Sequence, residues 1–333
     1  MIAPEDIRQL LCALGDHIQS RFLSGRASRS IEDLSGIAAE TAADTIYQID
    51  RLSEDAISEW FSAHWPHDEP VQVVMEGIED DHPLCFPAGT DVSATRWKCI
   101  IDPIDGTRGI MHDKRSAWTL AGVAPQRGDD TRLSGIIAAA MTELPVTKQW
   151  RADQISATRG GGCVFTSRNV LDGSTAPLFL QASQATQFEH GFSWLAKYLP
   201  EGRTLTAQIE EALWEELTDY KGTAPLQVFD DQYISTGGAF YEMLSGHDRF
   251  GGDIRPLVFA RLGLDAALVC HPYDVSAALV LSEAGIIYEH PLGGFPDAPL
   301  NTTHPMAWVI YANPTIAAKA RPVLQKLLNQ FLA

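Results

Sequence analysis

Apolar residues recur at helical spacing near the start of the chain, at Leu10, Leu11, Leu14, Ile18 and Phe22, and again at Leu52, Ala56, Ile57, Trp60 and Phe61. This period predicts amphipathic helices over 4–23 and 50–64. Further on, the pattern changes to short apolar runs and two-residue alternation. It predicts strands over 71–75, 97–101, 117–124, 133–141 and 146–150, an antiparallel sheet filling much of the first half. Thr158-Arg159-Gly160-Gly161-Gly162-Cys163 reads as a plain turn, because no strand-to-helix setting surrounds it to make a phosphate loop.

Asn169, Asp172, Gly173, Ser174 and Pro177 cluster in 165–178, where the texture of the chain changes. That cluster divides the chain into an α+β half, 1–170, and an α/β half, 171–333. In the second half the pattern predicts strand 178–182, helix 188–198, strand 204–208, helix 209–216 and strand 226–230. A helix over 239–245, strand 265–270, helix 275–284, strands 286–288 and 307–312, and a closing helix over 315–331 follow. There is no internal repeat and no low-complexity tract.

Composition narrows the class. The 333 residues are 45% hydrophobic and 20% charged, as in an ordinary globular chain with room for a large core. No apolar run approaches the roughly 18 residues that span a bilayer. The first residues carry Glu5, Asp6 and Asp16 and no basic start, so they read as an amphipathic helix and not as a signal peptide. Five scattered cysteines without CxxC spacing point to a reduced, cytoplasmic protein without a disulfide framework or zinc site. A net charge of −18 argues against nucleic-acid polymers and anionic membranes as partners. It also means that an anionic substrate needs local cations.

Such a place is Trp97-Lys98-Cys99-Ile100-Ile101-Asp102-Pro103-Ile104-Asp105-Gly106-Thr107. The apolar run ends at two aspartates, and Pro103 between them is expected to break the strand into a stiff turn. Two carboxylates fixed at the mouth of a sheet are costly unless a cation lies between them. Gly106 and Thr107 then offer open backbone and a hydroxyl suited to an oxyanion. A divalent metal holding a phosphate is the simplest chemistry for this stretch.

Three other segments carry candidate chemistry. In His271-Pro272-Tyr273-Asp274-Val275-Ser276-Ala277-Ala278, a strand is expected to end at a turn, with Asp274 as N-cap of an apolar helix stopping at Gly285. Taken alone, Asp274 is a helix cap; a second strand-end aspartate makes it a site candidate. Val73-Val74-Met75-Glu76-Gly77 runs a strand into an acid, and Glu79, Asp80 and Asp81 beyond it read as a solvated loop. Asp44-Thr45-Ile46-Tyr47-Gln48-Ile49-Asp50 precedes the second helix, where Asp50 is equally a cap or a site residue.

These segments, in this order, resemble the inositol monophosphatase family of metal-dependent, lithium-sensitive phosphatases. The D-P-[I/L]-D-G-T signature stands intact at Asp102 to Thr107, and E-A-G stands at Glu283-Ala284-Gly285. Met75-Glu76-Gly77 is similar to the G-E-E element, Tyr273-Asp274-Val275-Ser276-Ala277 to W-D-x-x-A, and Asp44 through Asp50 to D-x-x-T-x-x-D. The resemblance covers about 5–315. It implies a layered αβαβα sandwich and Mg²⁺-dependent hydrolysis of a phosphate monoester on a small metabolite by metal-activated water. By the same resemblance, Glu76, Asp102, Asp105, Asp274 and the Ile104 carbonyl hold two or three Mg²⁺. Asp105 also faces the substrate, the Gly106 and Thr107 amides cradle its phosphate, and Glu76, Asp50 and the Thr107 hydroxyl serve catalysis. Dimers are usual in the family, which makes a homodimer the corresponding expectation.

The departures bear on the substrate. Met75 and Gly77 alter the G-E-E element, leaving Glu76 and Glu79 as alternative ligands. Arg108-Gly109-Ile110 replaces the T-N-F of inositol-specific members, and the position of their substrate-binding glutamate is Ala267. Arg108 is similar to the basic residue of histidinol-phosphatase and bisphosphate-nucleotidase members and is a candidate substrate contact, or else a surface ion pair. Gly237 and Gly238, within Ser235-Thr236-Gly237-Gly238-Ala239, stand where the family has a substrate-facing turn, or else cap the next helix. The expected substrates are inositol, sugar, histidinol or 3′-nucleotide phosphates. The alternative is a catalytically silent metal- or phosphate-binding member of the same fold.

Overall fold

The structure is a computed structural model describing residues 2–27, 37–40, 45–76, 83–218, 220, 225–266 and 268–333. In chain order the elements begin with α1 (Pro4–Ala27), β1 (Ile37–Glu40), β2 (Thr45–Tyr47), α2 (Gln48–His64), β3 (Val71–Met75), β4 (Leu84–Phe86) and β5 (Trp97–Asp105). Then come α3 (Thr107–Ile110), β6 (Ala117–Pro125), β7 (Ala138–Leu144), β8 (Arg151–Thr158), β9 (Gly162–Asn169) and β10 (Thr175–Pro177). The second half adds β11 (Gly191–Leu195), α4 (Arg203–Leu217), β12 (Val228–Phe229), α5 (Thr236–Leu244), β13 (Asp248–Asp253) and α6 (Arg255–Leu262). The chain closes with α7 (Leu279–Glu283), β14 (Ile287–Glu289), β15 (Trp308–Tyr311) and α8 (Pro314–Leu332).

Two large sheets organise the core. The first has eight strands in the order β10-β9-β8-β7-β6-β5-β3-β4, and the second five in the order β12-β11-β13-β15-β14. The first is antiparallel except for the parallel β3–β5 pair. In β3 and β5 successive side chains enter different cores, as the two-residue strand period requires. Val73, Cys99 and Ile101 pack under Leu11 and Leu14 of α1 and Ile57 and Phe61 of α2. Val74 and Ile100 face the other way, with Trp118 and Leu120, towards Phe240 and Met243 of α5 and Val280 of α7. Trp194, Tyr288 and Trp308 bring the five-stranded sheet onto this middle layer. Its far face, through Leu195, Phe250 and Val309, packs on Leu213 of α4, Val258 of α6 and Leu324 of α8. The layering is therefore α, β, α, β, α, the sandwich that the resemblance implies.

The early elements follow the pattern closely: β3 is Val71–Met75 as expected, and α1 and α2 differ from expectation only at their ends. Residues 133–135 form a 3₁₀ turn ahead of β7, and the strand expected over 146–150 begins only at Arg151. The glycines at 160–162 make the β8–β9 turn.

The second half departs further. Residues 188–198, expected as helix, contain β11, which lies between β12 and β13 and gains ladder hydrogen bonds on both edges. The strand expected over 204–208 is the first part of α4. Thr206, Ile209, Glu210, Leu213 and Trp214 are its buried face at helical spacing, and Thr206 Oγ1 bonds back to the Gly202 carbonyl. Strands expected over 178–182 and 265–270 are absent among the described residues there. β13 and α6 carry no period that predicts them.

Candidate active site

β5 does not stop at Pro103. It runs on to Asp105 and takes one extra residue: Asp102 pairs with Leu120 of β6, but Asp105 pairs with Trp118. Three steps on one strand match two on its neighbour, which defines a bulge. In a regular strand, residues three apart point to opposite faces. Here the bulge turns both aspartates to the face of Leu120 and Trp118, the middle layer. Pro103, lacking an N–H, sits within the irregularity, where the ladder has no place for one. The turn is tied by Ile104 N donating to Asp102 Oδ1 (3.1 Å) and by Thr107 Oγ1 donating to the Ile104 carbonyl (2.7 Å). Gly106 follows at φ 97°, and a Cβ there would lie 2.9 Å from Ser235 Cβ. Only glycine suits both the left-handed backbone and the close approach.

The first turn of α5 holds the second aspartate. Ser235 is its N-cap, accepting from Gly238 N (2.9 Å) and donating through the same oxygen to Asp105 Oδ2 (2.7 Å). Thr236 N donates to Asp105 Oδ1 (3.1 Å) and Gly237 N to Oδ2 (2.5 Å). The amides a helix start leaves unpaired thus converge on a carboxylate from the other sheet. Burial pushes Asp105 up to about 6, against the opposing pull of the Ser235, Gly237 and Thr236 donors.

Asp274 arrives by a different route from the one expected. Among the described residues no strand leads into it, and it is not the cap of α7, whose N-cap is Ala278. It lies in a series of tight turns, with its N–H on the His271 carbonyl (3.1 Å) and its Oδ2 accepting from His271 N (2.6 Å). Carboxylate oxygens of Asp102, Asp105 and Asp274 lie within 4.8 Å of one another, the first two residues buried and the third half-buried. Like charges so close and so buried are costly without a compensating cation.

The three aspartates open into a cavity of about 140 Å³. Glu76, Ile104, Gly106, Thr107 and Arg108 also line it, so most residues singled out from the sequence meet in one place. Gly237 and Gly238 are absent from the lining. Their amides serve Asp105 and Ser235, and a Cβ on either would strike the Trp118 or Tyr233 side chain. Asp44, Gly77, Glu79 and Ala267 lie outside the described residues, as does the side chain of Asp50, whose backbone is in α2. Tyr198, Leu199, Arg255 and Leu268 also line the cavity and carry no signal in the sequence. The grip of Ser235 on Asp105 is likewise not readable, although Ser-Thr-Gly-Gly-Ala before an apolar run is an N-cap signal.

The sequence profile of the inositol monophosphatase family matches residues 6–211, so the chain belongs to that family and is a phosphoric monoester hydrolase. No curated protein sequence matches it. Among solved structures, the extragenic suppressor protein SuhB of Bartonella henselae is similar at TM-score 0.63 and 15% identity, over 96% of this chain and 99% of that one. Fructose-1,6-bisphosphatase of Leishmania major is similar at TM-score 0.61 and 12% identity, over 98% and 91%. An inositol monophosphatase from Anabaena (Nostoc) sp. PCC 7120 is similar at TM-score 0.59 and 13% identity, over 98% and 96%. At such identities the likeness extends to the fold alone.

Proposed function

We propose that the protein is a Mg²⁺-dependent phosphatase acting on a small phosphate monoester of the inositol, sugar, histidinol or 3′-nucleotide class. The observation that carries this is the convergence of Asp102, Asp105 and Asp274, within 4.8 Å, beside the Gly106–Thr107 turn. The donor set is all hard oxygen, which fits magnesium better than zinc. Asp102, Asp105, Asp274, Glu76 and the Ile104 carbonyl would hold two or three ions. Bound there, magnesium supplies the charge that offsets carboxylates and phosphate and acidifies the attacking water.

The protein's own groups do the positioning, the main demand of phosphoryl transfer. The Gly106 and Thr107 amides and Arg108 hold the phosphate. Thr107 Oγ1, aimed at the Ile104 carbonyl, orients the water together with Asp50. Gly237 and Gly238 act through Asp105 and Ser235. A single small metabolite is the partner, and the charge of −18 disfavours nucleic-acid polymers. Among the described residues no helix is long and apolar enough to cross a membrane. A cytoplasmic homodimer completes the reading.

The test is phosphate release from inositol monophosphates, histidinol phosphate, adenosine 3′,5′-bisphosphate, fructose 1,6-bisphosphate and simple sugar phosphates, with and without Mg²⁺. Magnesium-dependent turnover of one compound is expected. Calorimetric magnesium binding with no hydrolysis of any ester would instead make the protein a silent binding member of its family.

A further inference from the structure

We infer that Arg255 is the specificity residue of this site and that it reads a second anionic group, a carboxylate, on the alcohol portion of the substrate. This rests on the phosphatase reading and extends its substrate class to acid phosphates, esters whose alcohol portion carries a carboxylate. Arg255 begins α6, directly after β13, and lines the same cavity as the three aspartates. Its side chain is 5% exposed, and the residue forms part of that cavity's wall.

The guanidinium is fixed on three sides. Its Nε donates to Asp253 Oδ1 (2.9 Å) and its Nη2 to Asp253 Oδ2 (2.5 Å), which uses the edge between those nitrogens. Nη1 donates to the Leu268 carbonyl (2.8 Å), and the planar group lies 4.4 Å from the centre of the Tyr198 ring. A guanidinium carries five N–H groups, and these partners take three. One hydrogen on each Nη remains, and two charge-assisted donors on one planar group suit a planar, two-oxygen acceptor. Asp253 also removes the cost of burying an unpaired cation, so the group can wait in the cavity without a ligand.

The surroundings favour a carboxylate over a hydroxyl. Leu199, Leu268, Val269 and Cys270 line the cavity near this group, and apolar walls strengthen a charge-assisted hydrogen bond. A hydroxyl would bring its own hydrogen into the same walls. The whole chain, at −18, repels a more anionic ester, so any preference for one must arise locally.

3-Phosphoglycerate and glycerol 3-phosphate differ only in a carboxylate for a hydroxymethyl group, and p-nitrophenyl phosphate reports phosphatase activity itself. The wild-type protein is expected to favour 3-phosphoglycerate by at least about tenfold in kcat/KM, mostly through KM. Glycerate is expected to inhibit at least about tenfold more tightly than glycerol on the same ground. Arg255→Gln should bring the preference to within about threefold. Because that variant leaves Asp253 buried without its cation, Asp253→Asn/Arg255→Gln, a neutral hydrogen-bonding pair, is measured beside it. Hydrolysis of p-nitrophenyl phosphate with no advantage for 3-phosphoglycerate overturns the inference alone. So does a preference that survives in both variants. Failure to hydrolyse any of the three esters, while a compound of the panel above is turned over, also overturns the inference alone. Failure on the panel and on these esters sinks the phosphatase reading, and this inference with it.

Discussion

The Asp102–Thr107 turn and the Asp253–Asp274 segment border one cavity, yet they are built by opposite means. The first is local. One strand, one proline and one bulge bring two carboxylates to the same face, and β3 and β6 grip the strand on both edges. The second is assembled at a distance. β13 packs between β11 and β15, Arg255 is held by Asp253 and the Leu268 carbonyl, and Asp274 is placed by a series of tight turns. Most of the reaction chemistry is thus carried by a contiguous stretch of chain, joined by Asp274 and Glu76, whereas the wall that selects the substrate depends on remote parts docking correctly. Substitutions in the first should abolish turnover; those in the second, Asp274 apart, should move KM and stability.

Asp105→Asn should have the largest effect. It keeps size and shape but removes one charge from the cluster, and turnover should fall by at least about 10³-fold. One of the donors from Ser235, Thr236 or Gly237 would then face an NH₂ group, costing about 1–3 kcal/mol, so the protein should still fold. Phosphate release together with a melting curve checks both parts; retained activity overturns the assignment. Ser235→Ala is a milder version. It deletes one donor to Asp105 and the cap of α5, lowering kcat about tenfold and stability by about 1 kcal/mol. Because that donor lowers the Asp105 pKa, its loss raises it, and the acid limb of the pH–rate profile should move to higher pH. A merely structural role would leave the limb in place, and Ser235→Thr should restore it.

How much of this was legible follows the same division. Asp102, Asp105, Gly106 and Thr107 are readable because they stand together within six consecutive residues, although α5 and β6 complete their geometry. The bulge itself was not. Pro103 signals an interruption, but whether a strand ends or absorbs an extra residue is decided by β6, whose pairing resumes at Trp118. β13 was invisible because Asp-Arg-Phe-Gly-Gly-Asp has neither alternation nor β-branched residues. Its glycines are there for the neighbours: a Cβ on Gly251 would lie 2.7 Å from Trp194 Cζ2, and one on Gly252 2.5 Å from Val309 Cγ1. Arg255 had no local signal at all, since its role needs Asp253, Leu268 and Tyr198 together in space. The αβαβα layering was accessible only through the family resemblance, because the misread β11 and α4 would not have produced the five-stranded sheet.

Gly251→Ala sharpens the comparison from the other side. The added methyl forces the Trp194 ring away from β13, and the ring is anchored by its Nε1 on Asp248 Oδ2 (2.8 Å). Overpacking of this kind costs about 1–3 kcal/mol. Because Gly251 is two residues before Asp253, the displaced strand should carry the Asp253–Arg255 pair with it. KM should rise more than kcat falls, with a lower melting temperature. An equal drop in kcat at unchanged KM would show that the wall and the carboxylate turn are not separable.

The smallest effect on activity is expected at Asp248, where a substitution should change stability alone, as a gain. This carboxyl is 5% exposed, and burial pushes its pKa up from 3.8 to about 6, against the Trp194 donor. The folded protein therefore binds this proton more tightly than the unfolded chain. Its contribution to stability is fully present below the unfolded value and is lost as pH rises through about 6. Above that, an ionised Asp248 is a burden on the fold. Asp248→Asn removes the charge and keeps a carbonyl oxygen for Trp194, so it should stabilise the protein by about 1–3 kcal/mol at pH 7.5. The gain should shrink as pH falls and vanish below 4, when the wild-type carboxyl is neutral too. Melting curves of both proteins across this range decide the point. A gain that persists at low pH would mean that the amide improves packing, leaving the buried charge without consequence for the five-stranded sheet.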